Sequence, residues 1–380
     1  MRYLHRSPRV HVAGALALGM LCQTSAALAG CPTQSTEVSN DLAIECLVSP
    51  RPPDSGGVGG PTLYEQSMYR SLLSEMSAVM ALPVLDPADT VGFSGFHFTF
   101  NIAATSIKKD APYVGGFAQP DGTRSLGGLR HVSGGILPVA SIMVRKGIWP
   151  FMGPVGVELG FGGSNLLQSN IYGLNGYLKV ALHEGYHKFP FPSIAARATV
   201  TRLAGTSQVD MTIITAEGIA SKAFGVGGTF TVEPYLGGGA LFSIVRSQVI
   251  DTAPSVDYYR GQPKGQVQFT PAETLAQKVV FPTQDEIIRW RLFAGVNVHY
   301  SILSVTLSYA FIGAGQNNGF DGNGDGQFGR SDFPAQANLG AAPSGSASAC
   351  RSDSATGDKV CPKDVSGPQH TIGVGVGLRF

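Results

Sequence analysis

The sequence predicts an all-β chain: an antiparallel transmembrane β-barrel of about ten strands, within a range of eight to twelve, behind an N-terminal segment that holds one helix. Three observations predict it. From residue 91 to the end, apolar residues recur at every second position, the period of a strand with two unlike faces. Many of these runs reach the ~9–11 residues that a tilted strand needs to cross a bilayer, against ~5–6 for an ordinary strand. The connections also alternate: those near 147–151, 187–193, 222–227 and 299–302 are short, and those near 107–130, 251–283 and 313–369 are long. The stretches at 163–170 and 204–207 break that pattern by being short.

Composition agrees. Charged residues are 14% of the chain, against ~25% in soluble domains, while 50 of the 380 residues are glycine. With 43% apolar residues the chain does not have the low hydrophobicity of a disordered protein. No run of ~18 apolar residues is present to make a transmembrane helix. A net charge of +1 with no basic block gives no sign of nucleic-acid binding.

The first 29 residues read as an export signal. Arg2, Arg6 and Arg9 precede the short apolar core Val12–Leu21, and Ala27-Leu28-Ala29 offers a cleavage site before Gly30. Cleavage there leaves 24 basic and 26 acidic residues. Leu28-Ala29-Gly30-Cys31 also matches a lipobox, so lipidation of Cys31 stays open. The alternative is an oxidised pair: Cys31 with Cys46, and Cys350 with Cys361, each closing a short loop in an oxidising compartment.

Residues 30–90 differ from the rest. Arg51–Pro61 is Pro/Gly-rich and reads as a linker. Thr62-x-x-Glu65 is a capping box, and Met68, Leu72, Met76 and Val79 recur at helical spacing, predicting a helix over 62–82. Two placements remain open for it: resting on the periplasmic end of the barrel, or plugging the lumen.

In the barrel region, 91–380, the clearest strands are Phe96–Thr105, Val155–Phe161, Tyr172–His183, Ile194–Thr201, Ile288–Val298, Leu303–Phe311 and Thr371–Phe380. Weaker alternation lies near 132–145, 207–222 and 228–250. The ending His370–Phe380, with a terminal Phe380 and apolar residues at alternate places before it, resembles the C-terminal assembly signal of bacterial outer-membrane β-barrel proteins. The resemblance implies outer-membrane lipid around the chain and insertion by the barrel-assembly machinery. With short turns facing the periplasm and an even strand number, both termini are expected on the periplasmic side.

The lumen-facing parity carries His97, Glu158, Lys179, His183, Arg197, Asp210, Glu233, Arg289 and Arg291. Buried charges must be paired or wet, so these predict an ion-pair network or a polar lining. Ten strands leave little free lumen, which argues against a wide porin. His183-Glu184-Gly185-Tyr186-His187 matches H-E-x-x-H, but zinc binding by that motif needs a helix. On a strand, residues four apart are ~13 Å apart, too far for one zinc ion, so the match is read as chance.

Asp321, Asn323, Asp325, Gly326, Gln327 and Asp332 fit a Ca²⁺ loop, D-x-N-x-D-G-x5-D, with oxygen ligands at the spacing a hard cation takes and Asp where Glu is usual. The expected function is therefore an outer-membrane barrel acting as a narrow transport pore or structural barrel. The alternatives are a surface adhesin working through loops 251–283 and 313–369, and a barrel-embedded hydrolase. No residue pattern identifies a small-molecule substrate.

Overall fold

The computed structural model describes residues 41–48, 61–115, 128–129, 135–148, 155–184, 191–227, 229–251, 278–334, 350–353 and 356–380. The leader over 1–29, Cys31 and the linker up to Gly60 lie outside the described residues, although Cys46 is disulfide-bonded. A 3-10 turn (Ile44–Leu47) precedes helix α1 (Leu63–Met80) and strand β1 (Phe96–Ser106). Then follow α2 (Pro112–Gly115), β2 (Ile136–Ile148), β3 (Gly156–Leu166), β4 (Tyr172–His183), β5 (Ser193–Ala204) and β6 (Val209–Ser221). Next come β7 (Phe224–Val226), β8 (Phe230–Ser247), β9 (Ile250–Asp251), β10 (Lys278–Val279), β11 (Gln284–Tyr300) and β12 (Leu303–Ile312). The chain ends with β13 (Arg351–Ser352), β14 (Lys359–Val360) and β15 (Gln369–Arg379).

Ten long strands close on themselves, every neighbour antiparallel: β1, β2, β3, β4, β5, β6, β8, β11, β12 and β15. β7 is a three-residue addition to β8, and the β9–β10 and β13–β14 pairs are separate loop ribbons. The seam joins β15 to β1, from His97 opposite Arg379 to Thr105 opposite Thr371. Phe96 and Phe380 exchange both backbone bonds there, at 3.0 and 2.9 Å. Closure removes the sheet edges that an open sheet would have to protect.

The alternation of the sequence becomes an alternation of faces. Phe98, Phe100, Ile102, Leu174, Leu292, Leu307 and Val374 point outward and are exposed, while their neighbours point in and are buried. A continuous apolar outer face around a closed barrel is what hydrocarbon requires of a spanning sheet.

Helix α1 begins as its capping box dictates: Thr62 N–H donates to Glu65 Oε2 (2.7 Å) and Glu65 N–H to Thr62 Oγ1 (3.1 Å). Every residue of α1 except Arg70 is buried, polar face included. The helix lies inside the barrel, in the half nearer the long loops. Leu72, Met76 and Met80 share one core with the inward Leu137, Leu166, Met211, Leu241 and Ile287. Its serines face loop backbone: Lys363 N–H donates to Ser67 Oγ and Val365 N–H to Ser71 Oγ, each at 2.9 Å. Residues 41–48 sit at the same end, where Asn170 N–H donates to Asp41 (2.7 Å) and Ile44 N–H to Gln208 (3.0 Å).

From Ala81 the chain leaves α1 as an extended strap, descends the lumen to the short-turn end, and bends through Gly92 (φ +77°) into β1. Of the two placements open for the helix, α1 takes the one within the lumen. Residues 41–48 are at the long-loop end, while the end of the strap, the entry to β1 and Phe380 are at the other. The physical reason is that α1 is buried all round except at Arg70: Glu75 accepts from Tyr113, and Ser67 and Ser71 accept from the backbone of 363–365.

The face assignment makes a prediction. Leu307→Arg, outward and central in β12, should strongly reduce the fraction of chain that folds, because a lipid-facing arginine costs ~2–4 kcal/mol near the midplane. Thr306→Asn, one residue away and inward, should fold like the wild type. Resistance to unfolding in cold SDS, read as gel mobility, measures both.

Candidate functional site

The inward-facing Arg145, Glu158, Lys179, Arg197, Glu217 and Arg291 of β2 to β6 and β11 come together at one level of the closed barrel. There the strap meets the wall. Asp86 Oδ2 accepts from Tyr177 Oη (2.6 Å) and Lys179 Nζ (3.2 Å) and is ion-paired with Arg145 (3.2 Å), and Oδ1 accepts from Arg197 (3.0 Å). Glu158 lies 3.6 Å from Arg145 and 3.7 Å from Lys179. Glu217 bridges Arg197 and Arg291 through one oxygen each. All seven charged side chains are nearly sealed from solvent. Four cations and three carboxylates form one network.

The wall also holds the strap's backbone. Arg291 donates to Leu82 O (3.2 Å), Tyr235 Oη to Val84 O (2.8 Å), and Lys179 Nζ to Pro87 O (3.1 Å) and Asp89 O (2.8 Å). The N–H groups of Ala88, Thr90 and Val91 donate to Ser221 Oγ (3.0 Å), Glu184 (2.9 Å) and Glu158 (2.9 Å). An extended segment with no ladder of its own thus has its polar groups satisfied by side chains, as buried backbone must.

Of the nine lumen residues read from the sequence, Glu158, Lys179, Arg197 and Arg291 lie in this network. His97 joins it: Arg145 donates to Nδ1 (2.7 Å), so the imidazole is neutral and its Nε2–H faces Ser304 Oγ (2.8 Å). Glu233 is tied in through Ser221 (2.7 Å). Arg289 stands apart, nearer the long loops, and donates to the carbonyls of Gly313 (2.8 Å), Ser74 (3.2 Å) and Gly367 (2.6 Å), clamping α1 to the loop before β15. His183 ends β4 at the opposite rim.

Asp210 is a correction. It lies on the outer face of β6, ion-paired with Arg202, because the inward set there is Val209, Met211, Ile213, Thr215 and Glu217. Positions 210 and 217 have opposite parity, so choosing Asp210 hid Glu217. Asp86, Arg145 and Tyr177 were missed as well. Arg145 sits on a strand of weak alternation, and nothing in the sequence around Asp86 marks it as a lumen residue.

The H-E-x-x-H stretch is not helical where described: His183 closes a strand, and Glu184 accepts from both the N–H and the hydroxyl of Thr90 (2.9 and 2.5 Å). His187 lies outside the described residues.

In the loop after β12, carboxylate oxygens of Asp321, Asp325 and Asp332 all lie within 4.8 Å of one another. Asp321 accepts from the N–H of Gly324 (2.7 Å) and Gly326 (2.6 Å); the Gly326 N–H above all holds its carboxyl below the usual range. Asn323 bridges Asp325 and Ser331, and Gln327 N–H donates to Asp325 (2.8 Å). A disulfide joins Cys350 to Cys361 further along the same connection.

Closure, an apolar outer band and an inward charged lining occur together here. The chain has the fold of the bacterial outer-membrane β-barrels. No protein-family model and no curated protein matches it. Among solved structures it is similar to the attachment invasion locus protein Ail of Yersinia pestis (9% identity, 76% of this chain and 100% of that one, TM-score 0.25). It is also similar to the outer membrane protease OmpT of Escherichia coli (8%, 79% and 100%, TM-score 0.32) and to the translocator domain of the autotransporter NalP of Neisseria meningitidis (11%, 84% and 96%, TM-score 0.29). At such identities the likeness is one of fold alone.

The network predicts an asymmetry. Glu217→Gln strips the counter-charge shared by two buried arginines and should cost about 3–5 kcal/mol. Asp210→Asn breaks a half-exposed outer pair and should cost less than about 1 kcal/mol. Urea midpoints of the detergent-folded protein compare the two.

Proposed function

We propose that the protein is an integral outer-membrane barrel sealed by its own N-terminal segment, a structural barrel that holds long loops at the cell surface rather than an open pore. The observation that carries this is the filling of the lumen: α1 in the loop half, and the strap with Asp86 against the charged wall below it. In this reading the export signal delivers the chain, the barrel-assembly machinery inserts it through the Phe380 ending, and the short turns face the periplasm. Residues 41–48 then lie on the outer side with the loops, while Phe380 is periplasmic.

The loop around Asp321 favours a second element, a Ca²⁺ site. Three carboxylates converge where the sequence spacing calls for oxygen ligands, and the same spacing adds Asn323 and the Gln327 carbonyl as further ligands. With Asp in the last place, affinity falls in the weak extracellular class, ~10⁻⁴–10⁻³ M. The cation would order a surface loop already tied to α1 and closed by the Cys350–Cys361 bridge.

Two outcomes are expected. In planar bilayers the wild-type protein should show no steady conductance; a constant open channel would overturn the sealed barrel. Millimolar Ca²⁺ should slow proteolysis within 313–369, and Asp321→Ala with Asp325→Ala should abolish that protection while the barrel keeps its resistance to SDS. Equal cleavage in Ca²⁺ and in chelator would reduce the site to a polar turn.

A further inference from the structure

The four groups that hold the Asp86 carboxylate all belong to the barrel wall: Arg145 on β2, Tyr177 and Lys179 on β4, Arg197 on β5. None comes from the strap. The side chains of the three cations are 0–5% exposed, and the donors converge on both carboxylate oxygens. In the direct ion pairs of the network the wall supplies four bases and two acids, while a further buried wall acid, Glu233, is held by Ser221. Without Asp86, Arg145, Lys179, Arg197 and Arg291 face only Glu158 and Glu217 within the network. A buried excess of positive charge without a counter-ion is strongly unfavourable.

We propose that the barrel wall contains a binding site for small carboxylates, and that Asp86 occupies it in cis as a tethered stand-in for the ligand. The proposal rests on the sealed-barrel reading and gives it a ligand class: an organic monoanion that can accept a bidentate set of donors from Arg145, Tyr177, Lys179 and Arg197. Geometry favours a carboxylate over a spherical anion. Arg197 approaches one oxygen and the other three donors the second, a division that a single-atom ion cannot satisfy. The hydroxyl of Tyr177 at 2.6 Å adds a neutral donor, which bulk counter-ion attraction alone would not require. The strap reaches the site as an extended, side-chain-held segment, so its carboxylate can be removed without removing a strand of the wall.

The test uses the full chain folded in detergent, with Asp86→Ala vacating the site and formate as the probe, since formate replaces the deleted carboxylate. In sodium chloride the variant should melt below the wild type. Sodium formate at equal ionic strength should raise its apparent Tm saturably, by roughly 3–6 °C when formate is about ten times its Kd. The wild type should show no such rise, and adding Arg197→Gln to Asp86→Ala should abolish it. A rise of the same size in wild type and variant, or none in the variant, overturns the proposal; the latter is expected if Arg145 and Lys179 simply collapse onto Glu158. If Asp86→Ala fails to fold in chloride, refolding yield becomes the readout, and equal yields in formate and chloride overturn the site. A conducting wild-type channel would refute the sealed barrel while leaving the formate result to stand on its own. A silent wild type with no formate recovery would refute the site alone.

Discussion

One buried carboxylate sets the terms for this barrel. Asp86 is the point at which a segment outside the sheet supplies the counter-charge that the sheet lacks. Three strands each commit a cation, and a fourth cation, Arg291, shares Glu217 with Arg197. Such residues are tolerable on an inner wall only if their charges are matched, because transfer out of water is not recovered by attraction unless the geometry is good. The strap answers both needs together, lending its acid to the wall, accepting hydrogen bonds at its carbonyls from Lys179, Arg291 and Tyr235 and donating the Thr90 N–H to Glu184.

The lumen therefore has two storeys of different chemistry. Near the long loops it is an apolar core built by α1 and inward Leu, Met, Ile and Val side chains. Below Leu82 it becomes ionic. Ten strands enclose slightly more space than their own side chains fill, and one helix followed by one extended strand uses that space. The polar side of α1 is satisfied laterally: Glu75 accepts from Tyr113 Oη (2.8 Å) and the Lys108 N–H (3.2 Å), and the serines accept from the segment 363–366.

Period-two alternation was sufficient to read the strands, because a wall with lipid outside and protein or charge inside must alternate. The helix was legible from Thr62 and Glu65, its bounds closing to Leu63–Met80. The parity of β6 was harder. Its inner face is apolar where it meets α1 and polar only from Thr215 onward, so the rule that polar residues face a lumen fails over half its length. That rule assumes water inside, and the plug replaces water. Asp86 could not be found for a related reason: its role depends on donors 59 to 111 positions away along the chain, brought together only by closure. The disulfide at Cys350–Cys361 was readable from spacing, since eleven residues make an easily closed loop.

The seam between β1 and β15 has a consequence for the order of events in time. The chain just before β1 runs inside the ring that β1 completes with β15, and it turns back on itself at Gly92, where a side chain on Gly147 would collide with the Gly92 carbonyl. A ring closed beforehand would have to pull a fully enclosed helix past arginines and a lysine that lack the Asp86 carboxylate. A ring closing around the strap meets no such obstacle, because each incoming strand brings its cation to a carboxylate already in place. An inner segment in place before closure would serve as a mandrel for the wall, with the β1–β15 seam fastening the enclosure.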